Sequence, residues 1–125
     1  MSDRRQFSIM VHPRYVARES DPADRRYVFA YTITIANIGA EPARLVNRRW
    51  LITNADGERK EVRGKGVVGE QPYIEPGDAF RYTSAAVIET VVGTMQGSYE
   101  FEDELGELFE VPIPMFRLSV PNAIH

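Results

Sequence analysis

Arg63-Gly-Lys-Gly-Val-Val-Gly-Glu-Gln-Pro-Tyr-Ile-Glu-Pro-Gly-Asp-Ala-Phe-Arg-Tyr-Thr-Ser84 is the stretch on which the fold turns. Gly64, Gly66 and Gly69 fall close together, and a Pro76-Gly77 turn then leads into an alternating run. Glycine serves where the backbone needs positive φ or must approach another group closely, so the cluster describes an unusual chain path. Two paths fit, a tight structural turn or a cradle for an anion. Gly64-Lys-Gly-Val-Val-Gly69 spells G-x-G-x-x-G, but a dinucleotide site needs a helix directly after it to present amides and a dipole to pyrophosphate. Gln71-Pro-Tyr-Ile-Glu-Pro-Gly77 is incompatible with that helix, and no Lys-Ser or Lys-Thr follows the glycines to make a phosphate loop. Residues 64–69 are read as a helix-free bend joining two layers of pleated chain.

Outward from the bend the chain reads as strands. Phe7, Ile9 and Val11 alternate with Ser8 and Met10, so a strand is expected over Gln6 to His12, with Pro13 limiting its pairing. Arg18 to Arg25 is polar and turn-rich and reads as a loop. Arg26 to Asn37 is the clearest strand, with Tyr27, Phe29, Tyr31, Ile33 and Ile35 on one face. Leu45 to Thr53 follows, with Val46, Trp50 and Ile52 on one parity and Leu45 and Leu51 on the other; Trp50 is the expected core anchor. Asp56-Gly57 signals a hairpin to a strand over Glu58 to Val62. Ala79 to Ala86, Met95 to Phe101 and Leu108 to Ile113 complete the set, the last two joined by Asp103-Glu-Leu-Gly106. The parity of Phe109, Val111 and Ile113 changes at Phe116 and Leu118 across Pro112 and Pro114, which marks an edge or a crossover. No helical stripe of useful length occurs. The pattern predicts one all-β domain over residues 1–125, an immunoglobulin or fibronectin type III-like sandwich of about seven or more antiparallel strands.

Composition limits the chemistry. The 125 residues hold no cysteine, which excludes disulfides, thiol nucleophiles and cysteine-type zinc sites. His12 and His125 are the only histidines, too few for an imidazole metal cluster within one chain. The start shows no apolar leader and no run approaches the ~20 residues that span a bilayer, so a cytoplasmic location without membrane insertion is expected. Net charge is −3, with 14 Lys/Arg against 11 Asp/Glu in residues 1–81 and seven acids without a base in residues 82–116. Segregation of this kind marks solvated faces that pair within the domain, or steering of a charged partner.

Seven bases stand against three acids in residues 44–65, so an anion cradle at Gly64, Lys65, Gly66 and Gly69 with Arg63 has charge of the right sign. Glu100, Glu102, Asp103, Glu104, Glu107 and Glu110 offer oxygen ligands to a hard cation but lack EF-hand spacing, and a solvated edge is the simpler reading. Ser84 and Ser98 have no base nearby in the sequence, so no catalytic residue is assigned, no cofactor is expected and the chain is read as no enzyme. The aromatics alternate as a core face rather than among the bases, and the chain is acidic, so nucleic acid is not an expected ligand.

Gly64-x-Gly-Val-Val-Gly-Glu-Gln-Pro-x-Ile-x-Pro-Gly77, Phe80-x-Tyr-Thr-Ser84, Tyr27-Val-Phe-Ala-Tyr-Thr32, Trp50-Leu-Ile-Thr-Asn54, Gly93-Thr-Met-Gln-Gly-x-Tyr99, Phe116-Arg-Leu118 and Val120-Pro121 together resemble the bacterial ApaG family, from about Phe7 to His125. Ala85 departs from the glycine usual after Thr-Ser. The resemblance implies a fibronectin type III-like sandwich, found alone in bacteria and as a domain of some eukaryotic F-box and polymerase-interacting proteins. It also implies a link by name to cobalt resistance and magnesium efflux, and pyrophosphate binding by the glycines at 64, 66 and 69. A chain without a membrane span acts on efflux only through a partner or regulator. The readings carried forward are a protein-binding module first, a phosphate- or nucleotide-responsive regulator second, and direct cation binding by the acidic hairpin third.

Overall fold

The computed structural model of the chain describes residues 5–122. Eight strands form two antiparallel sheets: β1 (Phe7–Tyr15), β2 (Tyr27–Asn37), β3 (Ala43–Asn54), β4 (Arg59–Lys65), β5 (Tyr73–Ile74), β6 (Ala79–Ile88), β7 (Val92–Asp103) and β8 (Leu108–Ser119). One sheet runs β1-β2-β6, the other β4-β3-β7-β8, with β5 pairing the start of β3 beside β4. This is the sandwich expected from the alternation.

The inner face of β2 supplies Phe29, Tyr31, Ile33 and Ile35 to the core, and the second sheet answers with Leu45, Trp50, Met95, Tyr99, Phe101 and Leu118. Burial of such side chains contributes about 1.5–3 kcal/mol each and drives the two layers together. Trp50, 3% exposed, is edge-on to Tyr31 at 5.5 Å and to Phe116 at 5.8 Å, so the expected anchor is in place.

Three local expectations are corrected and a fourth is resolved. β1 continues through Pro13, paired opposite Tyr31, to Tyr15, because an edge strand tolerates a residue without a donor. Residues 17–19 and 22–24 form short 3-10 turns rather than an open loop, and Val28 N–H donates to Ser20 Oγ at 2.9 Å, covering the outer side of β2. In β3 the register slips between Leu45 and Asn47. That β-bulge turns Leu45 and Trp50 to the same face, where strict alternation had set them on opposite ones. In β8, Gly97 stands opposite Ile113 while Met95 stands opposite Phe116, so a second bulge causes the parity change at the prolines. β8 is an edge strand of a single sheet, the first of the two readings offered for the proline segment.

Candidate functional site

The bulge in β3 organises the glycine-rich stretch. The Val46 carbonyl accepts from Gly66 N–H at 2.8 Å and from Gln71 Nε2 at 2.9 Å, Leu45 N–H donates to the Pro72 carbonyl, and Arg44 Nη1 donates to the Gln71 carbonyl. Gly66 is required twice: its φ is +63°, and a Cβ there would stand 2.2 Å from the Glu70 carbonyl oxygen. Val67 is buried and exchanges both backbone hydrogen bonds with Glu70, at 2.8 and 2.9 Å. The enclosed pair Val68 (φ 42°) and Gly69 (φ 83°) makes a tight turn with both central residues left-handed. Asn-Gly is the usual solution, so a β-branched, 54% exposed valine at this position holds backbone strain.

The five sequence-predicted residues do not share one environment. Gly64 lies inside β4 opposite Arg48, and a Cβ on it would meet the Arg48 guanidinium at 2.7 Å. Its role in the backbone is to let Arg48 lie flat across the strand. Arg48 Nη1 then donates to the carbonyls of Lys65 and Gly66. Arg63 pairs with Glu61 at 2.9 Å, whereas Lys65 has no ion-pair partner among the described residues. Gly66 spends its N–H on Val46; among the described residues no acceptor meets the N–H of Val68 or Gly69. Residues 66–70 are helix-free but join β4 to β5 within one sheet, which corrects the expectation that they link the two layers. The crossing comes at residues 75–78, tied down by buried Asn37. Its Nδ2 donates to the carbonyls of Ile74 and Glu41, and its backbone bonds Gly77 and Asp78.

The sequence reading missed a seam. β6 and β4 are each the last strand of their sheet on the same side of the sandwich, and two clefts of about 280 and 200 Å³ run between them, sharing Ile52, Lys60 and Val87. Trp50, Tyr31 and Met95 floor the larger one. Cross-strand partners in β3 and β4 share a face, so the inner side of β4 reads Lys60, Val62 and then Arg48 lying over Gly64. Behind Arg48, Tyr82 and Tyr99 join hydroxyl to hydroxyl. Burial pushes Tyr99 and Tyr82 far above the ordinary tyrosine value, and burial likewise raises Tyr31, partly offset by its hydrogen bond to Ser84. Tyr31 lines the larger cleft, with Tyr82 and Tyr99 packed behind Arg48. Arg48 shares the parity of Trp50 and Ile52 and so turns inward, while its neighbour Arg49 turns outward; the sequence reading counted it only as one of seven bases.

The outer face of the second sheet carries a cleft of about 410 Å³ whose polar groups answer one another. Arg49 Nε meets Glu61 at 2.7 Å, Asn47 donates to Glu100 and Ser98 donates to Glu110. The Arg49 hydrogen bond holds Glu61 below its usual carboxylate value. At the β7–β8 turn Asp103 accepts the N–H groups of Leu105 and Glu107, and Glu104 accepts from Tyr73. Among the described residues no group of three or more His, Cys, Asp or Glu is placed to hold a metal ion.

The ApaG domain model matches residues 17–103. The chain belongs to the ApaG family. Protein ApaG of Enterobacter sp. (strain 638) is 54% identical over 125 residues, covering 100% of both chains, and Protein ApaG of Citrobacter koseri is 56% identical over 117 residues, covering 94% of each. The crystal structure of the putative ApaA protein from Bordetella pertussis superposes with a TM-score of 0.92 at 46% identity, covering 96% of this chain and 98% of that one. A second structural-genomics X-ray structure gives 0.89 at 44%, over 95% and 90%. Among the described residues no helix is long and apolar enough to cross a membrane.

Proposed function

We propose that this ApaG-family chain is a non-enzymatic binding module of the cytoplasm that engages a protein partner along the seam between β4 and β6. The observation that carries the reading is the juxtaposition of two unpaired strand edges over an apolar floor of Trp50, Tyr31 and Met95. An open strand edge presents unpaired N–H and C=O groups that an incoming segment satisfies, and flanking pockets supply selectivity. The polar groups elsewhere support it: Ser98 is bonded to Glu110, His12 is exposed on β1, and the buried tyrosines are held neutral. Net charge of −3 and core-bound aromatics disfavour nucleic acid. An effect on cobalt resistance or magnesium efflux then runs through the partner. Affinity capture from cell extract tests the reading: a protein retained by the native chain is lost with Val87→Glu, retained with Glu110→Gln, and indifferent to added pyrophosphate. Equal recovery with all three chains contradicts it.

The second reading is a phosphate or pyrophosphate ligand at Gly64, Lys65, Gly66 and Gly69 with Arg63. Successive left-handed residues at Val68 and Gly69, beside a Lys65 with no ion-pair partner among the described residues, favour it. Pyrophosphate at millimolar concentration then shifts the amides of residues 64–69, and Lys65→Ala weakens the effect; unmoved amides remove it.

A further inference from the structure

The four sheet edges of this sandwich are not treated alike. β1 carries Pro13, β8 carries Pro112, Pro114 and a bulge, and β4 is short, holds Gly64 and carries four bases in Arg59 to Lys65. Proline, bulges, brevity and charge are the devices by which natural sheets discourage edge pairing. β6 has none of them beyond a single charge. It is ten residues long, has no proline, pairs β2 without a register shift, and bears a single charge at Arg81. Its side chains Ser84, Ala85 and Ala86 are small, and Val87 is 46% exposed. An unguarded edge beside a groove lined by Arg48, Lys60, Val62 and Ser84 is a place where another strand adds.

We infer that the free edge of β6 accepts an extended segment of a partner whose groove-facing residues follow the order acid, x, apolar, x, acid. This deepens, and rests on, the reading of the seam as a protein-binding site. Facing residues in a strand recur every second position. The wall opposite β6 presents Lys60, Val62 and the Arg48 guanidinium over Gly64, a cation, an apolar group and a cation at that same spacing. Arg59 to Lys65 hold four bases against the single acid Glu61, and among the described residues Arg59 and Lys60 have no ion-pair partner. Glu58, at the far end, is already bonded by Asn54. A second copy pairing β6 to β6 about a two-fold axis would also bring β4 toward β4, setting bases against bases, so an acid-bearing partner segment fits and self-pairing does not.

The test uses the full chain and three capped peptides read by fluorescence anisotropy: Thr-Glu-Thr-Leu-Thr-Glu-Thr, the same with Lys for Glu, and the glutamate form N-methylated at alternate residues. The glutamate peptide binds at least about tenfold tighter than the lysine form at low salt, the N-methylated form loses binding, and Lys60→Glu reverses the charge preference. Intermolecular cross-peaks join the peptide backbone to residues 79–88. Equal affinity of the glutamate and lysine forms, retained binding after N-methylation, cross-peaks to β1 or β8 instead, or no binding by any peptide overturns the inference. If no peptide binds yet Val87→Glu still abolishes capture of an extract protein, the acid-strand inference falls and the binding-module reading stands.

Discussion

The two seams of the sandwich are built to opposite ends. Where β1 meets β8 the layers are closed by aromatics: Phe7 stacks on Phe101 at 4.3 Å, Phe101 on Phe109 at 5.7 Å, and the Arg5 guanidinium lies 4.6 Å over Phe109. Proline-bearing strands guard that side. Where β6 faces β4 the wall is Lys60, Val62 and Arg48 against Ser84, Ala85 and Val87, and clefts remain between the layers. On the proposed reading the difference separates the labour: the closed seam contributes stability and the open one leaves the β6 edge for a partner.

The largest expected effect tests the closed side. Phe101→Ala leaves a cavity among stacked rings and costs about 3–5 kcal/mol in chemical denaturation, against about 1 kcal/mol for Val62→Ala at the half-buried wall of the open seam. Comparable losses at the two positions would break the contrast. Alkaline unfolding probes whether the buried tyrosine pair behind Arg48 stays dry. Tyr82 and Tyr99 have folded pKa values raised above 10.0, so their contribution is fully present below that pH and is lost as pH rises beyond it, because the unfolded chain ionises first. Stability therefore falls by roughly 2–3 kcal/mol per pH unit above that point. Free titration of every phenol in the folded protein, followed by phenolate absorbance, would show that water reaches the cluster.

Smaller effects sharpen the picture near the glycine turn. Val68→Asn relieves a β-branched residue from left-handed backbone and raises stability by about 1 kcal/mol, read from the thermal midpoint; a loss would mean that Val68 makes contacts worth more than its strain. Val87→Glu at the lip of the open seam shifts stability by less than about 0.5 kcal/mol while abolishing partner capture.

Much of the fold was legible. Alternation over Arg26 to Asn37, the anchor Trp50 and the Asp56-Gly57 hairpin follow from local backbone preference, and local preference survives in an antiparallel sandwich. The bulge at Val46 was not legible, because an extra residue in a strand changes parity without changing composition; the one before Met115 left its trace as the parity change at Phe116, which the sequence read as an edge or a crossover. The site was harder still. Gly64, Gly66 and Gly69 look alike in sequence, yet one clears space for a guanidinium, one avoids a carbonyl and one completes a turn. The open seam depends on β4 and β6 ending their sheets on the same side, and that is set by pairing with distant β3 and β2. Its local trace was the strand expected over Ala79 to Ala86, with one charge and no proline, a pattern that gains meaning only once β6 is known to be an edge.

Amide hydrogen exchange of the chain bound to its captured partner tests the central claim most directly. Protection is expected to rise along residues 79–88 and at Lys60 to Val62, with β1 and β8 unchanged. Protection confined to β1, β8 or the turn at Val67 to Glu70 would contradict the assignment of the open seam as the docking face.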